Sequence, residues 1–300
     1  MSSHAELPLA RVVAAHGRHA FVQTSSGERV LCHLRGRRAD IVVGDLVRWQ
    51  GAGDEGVIES VEPRRNLLFR QDAWRSKSFA ANLDQVLVLV AGEPMFSESQ
   101  LTRALIAAAD AGIPALIGLN KVDLPSARLA RERLSALRAT GQTVLEFALK
   151  ADAEAARTLL LPWLQQRVTL LLGPSGTGKS TLINRLVPQA QAQVGEISKA
   201  LNSGRHTTTS TLWYGLGGGA HGGALIDSPG FQEFGLRHID AAHLAALMPD
   251  LRAHLGGCRF YNCTHRHEPG CEVIAALQRG EIAPQRYRCY TQILDELSSA

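Results

Sequence analysis

The sequence predicts a multidomain chain: a small N-terminal β-barrel, a central α/β domain built on a phosphate-binding loop, and a C-terminal α-helical domain that binds a metal. Three observations predict it. Short apolar runs broken by turn residues fill the first 70 residues. A G-x-x-x-x-G-K-[ST] segment at 173–180 sits between an apolar run and an amphipathic one. A Cys/His cluster occupies 258–271. The expected boundaries are 1–70, 71–236 and 237–300.

Composition sets the outer limits. Three hundred residues with 45% hydrophobic and 20% charged content are ordinary for two or three folded domains. The formal charge of +4 permits a nucleic-acid partner without demanding one. There is no run of 18 apolar residues and no basic segment leading into an apolar stretch at the start, so neither a membrane span nor a signal peptide is expected. The five cysteines are an odd count, with three of them between 258 and 271. That pattern points to a reducing compartment and a metal site rather than a disulfide scaffold.

In the first block, strands are expected at Arg11-Val-Val-Ala14, His19–Gln23, Arg29–Leu34, Asp45–Trp49 and Gly56–Glu62, with turns at Ser25-Ser-Gly27, Gly36, Val43-Gly-Asp45 and Gly51–Asp54. Five short strands of this length make an OB-fold the natural candidate. Arginine recurs here (Arg11, Arg18, Arg29, Arg35, Arg37, Arg38, Arg48, Arg64, Arg65). The pattern suits an RNA backbone, with a solvated face as the alternative, since Asp and Glu are interspersed. Residues 71–80 are polar and read as a linker or exposed loop.

The second block alternates strand and helix. Asp84–Ala91 and Ala115–Leu119 read as buried parallel strands, with a helix between them opened by the capping box Ser97-Glu-Ser-Gln100. A basic amphipathic helix follows over 126–140, then a strand at Thr143–Phe147. A further helix over 152–166 is interrupted by Pro162. Val168–Leu172 is the strand that enters the glycine-rich loop, and the helix after the loop begins at about Thr181. In that context Gly173, Pro174, Ser175, Gly176, Thr177, Gly178, Lys179, Ser180 and Thr181 form a phosphate cradle. Amides point at the phosphates, Lys179 reaches the β and γ phosphates, and the Ser180 hydroxyl sits on Mg²⁺.

Asn120-Lys121-Val122-Asp123 ends a strand and fits N-K-x-D. A carboxylate at Asp123 accepts two hydrogen bonds from the N1–H and exocyclic amine of guanine, an arrangement adenine lacks. The Asn120 amide braces the phosphate loop, and the Lys121 stem covers the ring. A pair of strands at Thr211–Leu216 and Ala224–Asp227 flanks a glycine-rich turn that holds His221. Asp227-Ser-Pro-Gly230 fits D-x-x-G, with Asp227 toward Mg²⁺ and the Gly230 amide toward the γ-phosphate. In the hydroxyl-rich stretch 202–210, Thr207 and Thr208 are both candidates to close over Mg²⁺, with Thr208 taken for the site. Phe231 stands where a water-orienting glutamine often follows D-x-x-G, so slow intrinsic hydrolysis is expected. His238 and His206 are the candidates to supply the missing group, each also readable as an ordinary core or surface histidine.

In the third block, Cys258, Cys263, His265 and Cys271 offer three thiolates and an imidazole, a closed donor set suited to structural zinc, with His267 as a competitor for His265. The alternatives are a disulfide plus a free thiol, or buried unpaired cysteines. Cys32 and Cys289, far off in sequence, are expected in the core. Helices follow at 272–279 and 284–298, with Arg286, Tyr287 and Arg288 as a basic, aromatic neighbourhood for RNA, or an ordinary solvated face.

The motif order is unusual. Guanine-nucleotide switch domains run phosphate loop, switch threonine, D-x-x-G, N-K-x-D. Here N-K-x-D comes first and D-x-x-G last, as though the chain had been cut and rejoined, the join lying between about 166 and 168. With its barrel, its Gly204-Arg-His-Thr-Thr-Thr209 stretch, Asp227-Ser-Pro-Gly-Phe231 and the cysteine cluster, the sequence resembles the circularly permuted, ribosome small-subunit-dependent GTPases (the RsgA, or YjeQ, family) over nearly its whole length. The resemblance implies an OB-fold, a permuted GTPase domain and a zinc domain. It also implies GTP and Mg²⁺ at the site, the 30S subunit and its rRNA as partners, and a cytoplasmic, monomeric protein of late subunit maturation. One departure is Phe147-Ala148 where many GTPases carry a Ser-Ala pair behind the guanine, a contact made mainly by backbone amides. A GTP-dependent switch on another RNA is the competing reading.

Overall fold

The computed structural model describes residues 7–16, 19–34, 41–53, 55–72, 74–191, 211–217, 222–229, 231 and 234–299. Strands β1 (Leu9–His16), β2 (His19–Gln23), β3 (Arg29–Leu34), β4 (Leu46–Ala52) and β5 (Glu55–Val61) close into the expected barrel. The pairs β1–β2, β2–β3, β4–β5 and β1–β4 are antiparallel, and β3–β5 is parallel. Closure removes the exposed edges that five short strands would otherwise present. Alternate residues turn inward, and Val12, Ala20, Val22, Cys32, Val47 and Ile58 fill the interior.

Most of the barrel arginines that fall within the described residues are engaged inside the molecule. Arg48 bonds Glu62 at 2.6 Å, Arg64 grips the fully buried Asp45 through two bonds of 2.7 and 2.9 Å, and Arg65 reaches Asp84 at 2.7 Å. Arg11 lies 5.0 Å over the Trp213 ring. Arginine count alone therefore overstated the free basic surface. Arg18, Arg35, Arg37 and Arg38 lie outside the described residues.

The expected linker at 71–80 is instead half of a β-hairpin. β6 (Leu67–Gln71) pairs antiparallel with β7 (Ser76–Ala81), with Gln71 opposite Ser76, and Phe79, Ala80 and Ala81 are buried. A two-stranded hairpin covered on one face needs only a few apolar positions, so its polar remainder reads as loop.

The central sheet runs β10-β9-β8-β11-β13-β12. β8 (Gln85–Ala91), β9 (Ala115–Asn120), β10 (Val144–Glu146), β11 (Val168–Leu172) and β13 (Ala224–Asp227) are parallel, and β12 (Leu212–Gly215) is antiparallel to β13. β8 is buried along its full length, as a strand covered on both faces must be. Helices α1 (Glu98–Asp110), α2 (Ala127–Ala139) and α3 (Ala153–Leu164) make the crossovers. Ser97 caps α1 by accepting from the Gln100 amide at 3.3 Å, and Asp152 caps α3 by accepting from the Ala155 amide at 3.0 Å. Pro162 lies inside α3, which ends two residues later. Helix α4 (Lys179–Leu186) begins two residues before the expected Thr181, because Gly178 in the left-handed region forms its cap. The connection from β8 leads to β9 on one side and that from β11 leads toward β13 on the other, so the crevice at their carboxyl ends is a topological switch point.

After β13 come a 3₁₀ segment (Ala241–Leu247), then α5 (Pro249–Arg252), α6 (Glu272–Gln278) and α7 (Pro284–Ser298). Their core is continuous with the α1 face of the sheet. Val273, Tyr290 and Ile293 belong to the same buried cluster as Leu101, Ala104 and Val88. Arg286, expected in a basic surface, is 6% exposed. It forms a paired bond with Asp250 (2.7 and 3.2 Å) and donates to Thr102 of α1 at 2.6 Å. An arginine next to an exposed Arg288 reads the same in one dimension, but α7 turns one residue inward and the other out. Arg286→Ala leaves the Asp250 charge buried without its partner, and is expected to cost about 3–5 kcal/mol in chemical denaturation. A loss within 1 kcal/mol would mean the pair is effectively solvated.

No helix among the described residues is long and apolar enough to cross a membrane.

Candidate functional site

Four loops meet at the carboxyl ends of β9, β10, β11 and β13 and enclose a cleft of about 750 Å³. Of the expected nucleotide residues, Asn120, Lys121, Asp123, Gly173, Pro174, Ser175, Gly176, Gly178, Lys179, Ser180 and Thr181 line it, together with Asp227. Two others do not. Val122 packs against the core, and Thr177 is fully buried, its hydroxyl donating to the Pro174 carbonyl at 2.9 Å. Thr177 thus shapes the loop from behind.

Asn120 is the brace between the two recognition loops. Its Nδ2 donates to the Thr177 carbonyl at 2.8 Å, and its Oδ1 accepts from the Leu149 amide at 3.1 Å. At 3% exposure, neither bond competes with bulk water. Gly178 is required directly in front of it. Its φ is +110°, and a Cβ there would collide with Asn120 Nδ2. Lys121 also takes a left-handed backbone (φ 63°), and its ammonium donates to the Glu93 carbonyl at 2.6 Å, which lays the stem along the cleft.

Lys179 Nζ donates to the Gly173 and Pro174 carbonyls at 2.6 and 3.0 Å, so the loop curls around its own lysine. Burial lowers the Lys179 pKa, against the attraction of Asp227. Burial raises that of Asp227, against the attraction of Lys179. Each charge is sustained by the other across the cleft, and an added polyphosphate favours the lysine further. Ser228, next to Asp227, shares a 3.0 Å hydrogen bond with Thr211, which ties the D-x-x-G loop to the start of β12.

Leu124, Leu149, Lys150, Ser228, Pro229 and Phe231 also line the cleft. The sequence reading placed the base-backing pair at Phe147-Ala148. Phe147 instead points into the core at 3% exposure, and the cleft wall falls at Leu149 and Lys150. Only the general rule that loops at the carboxyl ends of parallel strands carry the ligand signals this segment.

His238 does not line the cleft. Its ring lies 4.3 Å from that of Phe69, with Nδ1 buried and without a hydrogen-bond partner, and burial lowers its pKa. The hairpin and the segment after β13 hold it there, a long-range arrangement that sequence spacing does not express. Gly230, His206, Thr207, Thr208 and His221 lie outside the described residues.

The second constellation is the cysteine cluster. The donor atoms of Cys258, Cys263, His265 and Cys271 all lie within 4.8 Å of one another. Both Cys258 Sγ and Cys271 Sγ are 3.5 Å from His265 Nδ1, and the two sulfurs are 4.0 Å apart. Zinc bonds of about 2.3 Å to sulfur and 2.1 Å to nitrogen give tetrahedral edges of about 3.5–3.8 Å. The set fits one structural zinc ion, and all five cysteines are free of disulfides. His265 rather than His267 is the nitrogen donor, presented from a left-handed backbone (φ 59°). Tyr287 and Tyr290 donate to the His265 and Thr264 carbonyls at 2.7 and 2.8 Å, so α7 holds the ligand turn in place. Tyr287, like Arg286, serves the interior here.

Comparison with known proteins matches residues 61–237 to the family model described as RsgA GTPase. A protein of Variovorax paradoxus, "Small ribosomal subunit biogenesis GTPase RsgA", is 56% identical over 96% of this chain and 92% of its own length. One of the same name from Burkholderia pseudomallei is 52% identical with the same coverage. Among solved structures, the chain is similar to YloQ, "a circularly permuted GTPase", with a TM-score of 0.72 and 25% identity over 100% of this chain and 98% of that one. It is also similar to YjeQ from Thermotoga maritima, with a TM-score of 0.71 and 28% identity over 98% and 99%.

Proposed function

The chain belongs to the RsgA GTPase family, and from that premise we propose that it hydrolyses GTP to GDP and phosphate while bound to the small (30S) ribosomal subunit, as a late step of that subunit's maturation. The observation that carries the reading is the convergence of N-K-x-D, the phosphate loop and D-x-x-G on one cleft despite their permuted order.

In this reading Asp123 selects guanine and Asn120 locks the base loop to the phosphate loop. The amides from 175 to 181 and the positive end of α4 hold the phosphates. Lys179 neutralises charge that grows on the β–γ bridge and γ oxygens. The Ser180 hydroxyl and the Asp227 carboxylate are hard oxygen donors on either side of the cleft and would hold Mg²⁺, which supplies further charge neutralisation. A threonine at 207 or 208 and the Gly230 amide complete the γ-phosphate contacts.

Phe231, 5% exposed and packed on Phe234, offers no hydrogen bond to water. Turnover by the chain alone is therefore slow. His238 takes part only after it leaves its place beside Phe69. Its unpartnered Nδ1 makes the present position a costly one, by roughly 1–3 kcal/mol, and its lowered pKa keeps the ring neutral and able to accept a proton. The proposed domains are a barrel (1–70) that contacts rRNA, a GTPase domain (71–236) and a zinc domain (237–300), with the β6–β7 hairpin spanning the first boundary. The protein acts as a monomer in the cytoplasm.

Hydrolysis measured at fixed salt, alone and with added 30S or 50S subunits, tests the proposal. Stimulation of 100-fold order by 30S, as expected when a missing catalytic group is supplied (about 10²–10⁴-fold), and none by 50S, is the predicted result. Sound GTP binding without stimulation would favour a switch acting on another RNA.

A further inference from the structure

A second cavity, of about 560 Å³, opens between the barrel and the edge of the central sheet, and it shares no lining residue with the nucleotide cleft. Its origin is a divergence of strands. β12 meets β1 at a single pair, Leu212 opposite Ala14. From there β1 curls into the barrel, where Leu9–Arg11 pair with β4, while β12 continues along β13 to Gly215. The turn between β2 and β3 forms a further wall of the wedge left between them.

The walls carry positive charge without negative charge. Arg11 and Arg29 line the cavity, and among the described residues no carboxylate does. The hydrogen bond that the Arg11 guanidinium makes is a long one, 3.4 Å to the Gly44 carbonyl. The Arg29 guanidinium has neither a hydrogen bond nor an ion pair among the described residues. Burial lowers the Arg11 pKa, and the carboxylate that opposes this, Asp84, is itself paired with Arg65. Two guanidinium groups thus face one enclosed space with no counter-charge of their own, an arrangement that favours an anion there.

The space also suits a flat group. Arg11 lies over the Trp213 ring, which is 7% exposed and braces the guanidinium from the sheet side. A planar guanidinium held on an indole is a stacking platform for a base. Thr24 and Ser26, whose hydroxyls share a 2.8 Å hydrogen bond, bring groups of the kind that bind a ribose. A Cβ at Gly27 or Gly215 would meet no atom within 4 Å, so these glycines leave the walls bare. The volume falls within the range of about 300–1,000 Å³ usual for small-molecule sites.

We propose that this seam is a second nucleotide site, separate from the cleft, which takes one planar base with its phosphate: the phosphate pairs with Arg29 and the base stacks on the Arg11–Trp213 pair. Free mononucleotides and an unstacked nucleotide of single-stranded RNA share this chemistry.

The test is to titrate the full chain with adenosine monophosphate and with hexa-adenylate, GDP and Mg²⁺ being present to occupy the cleft. Both titrations are repeated on Arg29→Gln, Arg29→Lys and Gly215→Phe. Trp213 and Gly215 share a face of β12, so the ring introduced by Gly215→Phe fills the cavity. That variant should lose the binding. Arg29→Gln should weaken it about tenfold, the size expected for one charge-assisted hydrogen bond, and Arg29→Lys should retain most of it. GDP affinity should not change in any of the three. Equal affinity for the two probes assigns the site to free nucleotides, whereas hexa-adenylate bound more tightly, with the same sensitivities, assigns it to a nucleotide within a strand. Absence of saturable binding by both probes, or binding of both that Gly215→Phe leaves unmoved, overturns the proposal. Should Gly215→Phe lose GDP as well, its fold is damaged and the Arg29 pair decides: equal affinities in Arg29→Gln and the unaltered chain then overturn it.

Discussion

Stripping zinc with a strong chelator will unfold the chain from about residue 249 onward and weaken the face of the central sheet that it covers. The ligand turn 258–271 buries little on its own, since even its aromatic residues Phe260 and Tyr261 are exposed, and its order comes from the Cys258, Cys263, His265 and Cys271 donors. Structural zinc contributes roughly 10 kcal/mol or more to small sites of this kind, which exceeds what the short α5 and α6 can replace. The loss will not stop at the ligands. Tyr287 and Tyr290 hold the turn to α7, and Tyr290 and Ile293 share a core with Leu101 and Ala104 of α1. Hydrogen exchange should therefore accelerate in α6 and α7 first and in α1 next, while the barrel, which has its own core, keeps its protection. Chelated protein with unchanged exchange in α6 and α7 would contradict a structural zinc. Cys271→Ser, at a buried ligand, should reproduce the effect without chelator.

Asp123→Asn will exchange the base preference of the cleft from guanine to xanthine. Asp123 is carried past the end of β9 and lines the cleft, where its exposed carboxylate can accept two hydrogen bonds from one base edge. An asparagine replaces one acceptor with a donor. It then fits the carbonyl at C2 of xanthine and leaves the amine of guanine facing another donor. Sites built on paired polar groups discriminate by roughly 10⁴-fold, so competition between GDP and xanthosine diphosphate should reverse by a factor of that order. The substitution keeps the size of the side chain and leaves the Asn120 brace untouched, so folding is expected to be unaffected. A variant that still prefers GDP as strongly as the unaltered chain would refute the base assignment.

Much of the molecule was legible in one dimension because its signals are local. Alternation of apolar residues predicted the barrel strands, the capping box at Ser97 predicted the start of a helix, and the apolar run at Val168–Leu172 followed by glycines predicted the strand and its loop. Each depends on neighbours within a few residues, where backbone sterics and periodicity act. The N-K-x-D, phosphate-loop and D-x-x-G motifs, and the Cys/His spacing, are likewise short constellations whose chemistry restricts the residue types. For that reason they survive a permuted chain order.

Tertiary structure decided what depends on which face a residue turns to and what it meets there. Arg286 and Tyr287 read as surface groups until α7 docked them on Asp250, Thr102 and the zinc turn. The arginines of the barrel look available as a list, but several are committed to carboxylates 14 to 19 residues away. Residues 71–80 look like a linker because a hairpin covered on one side needs few apolar positions. The same hairpin draws His238 against Phe69 and brings Lys77 to Pro229, contacts made across more than 150 residues. The sequence determined the groups that line the cleft and make up the Cys/His cluster, since those follow from the chemistry of short motifs. The fold alone decided which further side chains hold those groups in position, because burial and partnership are properties of packed surfaces and leave no periodic trace in the chain.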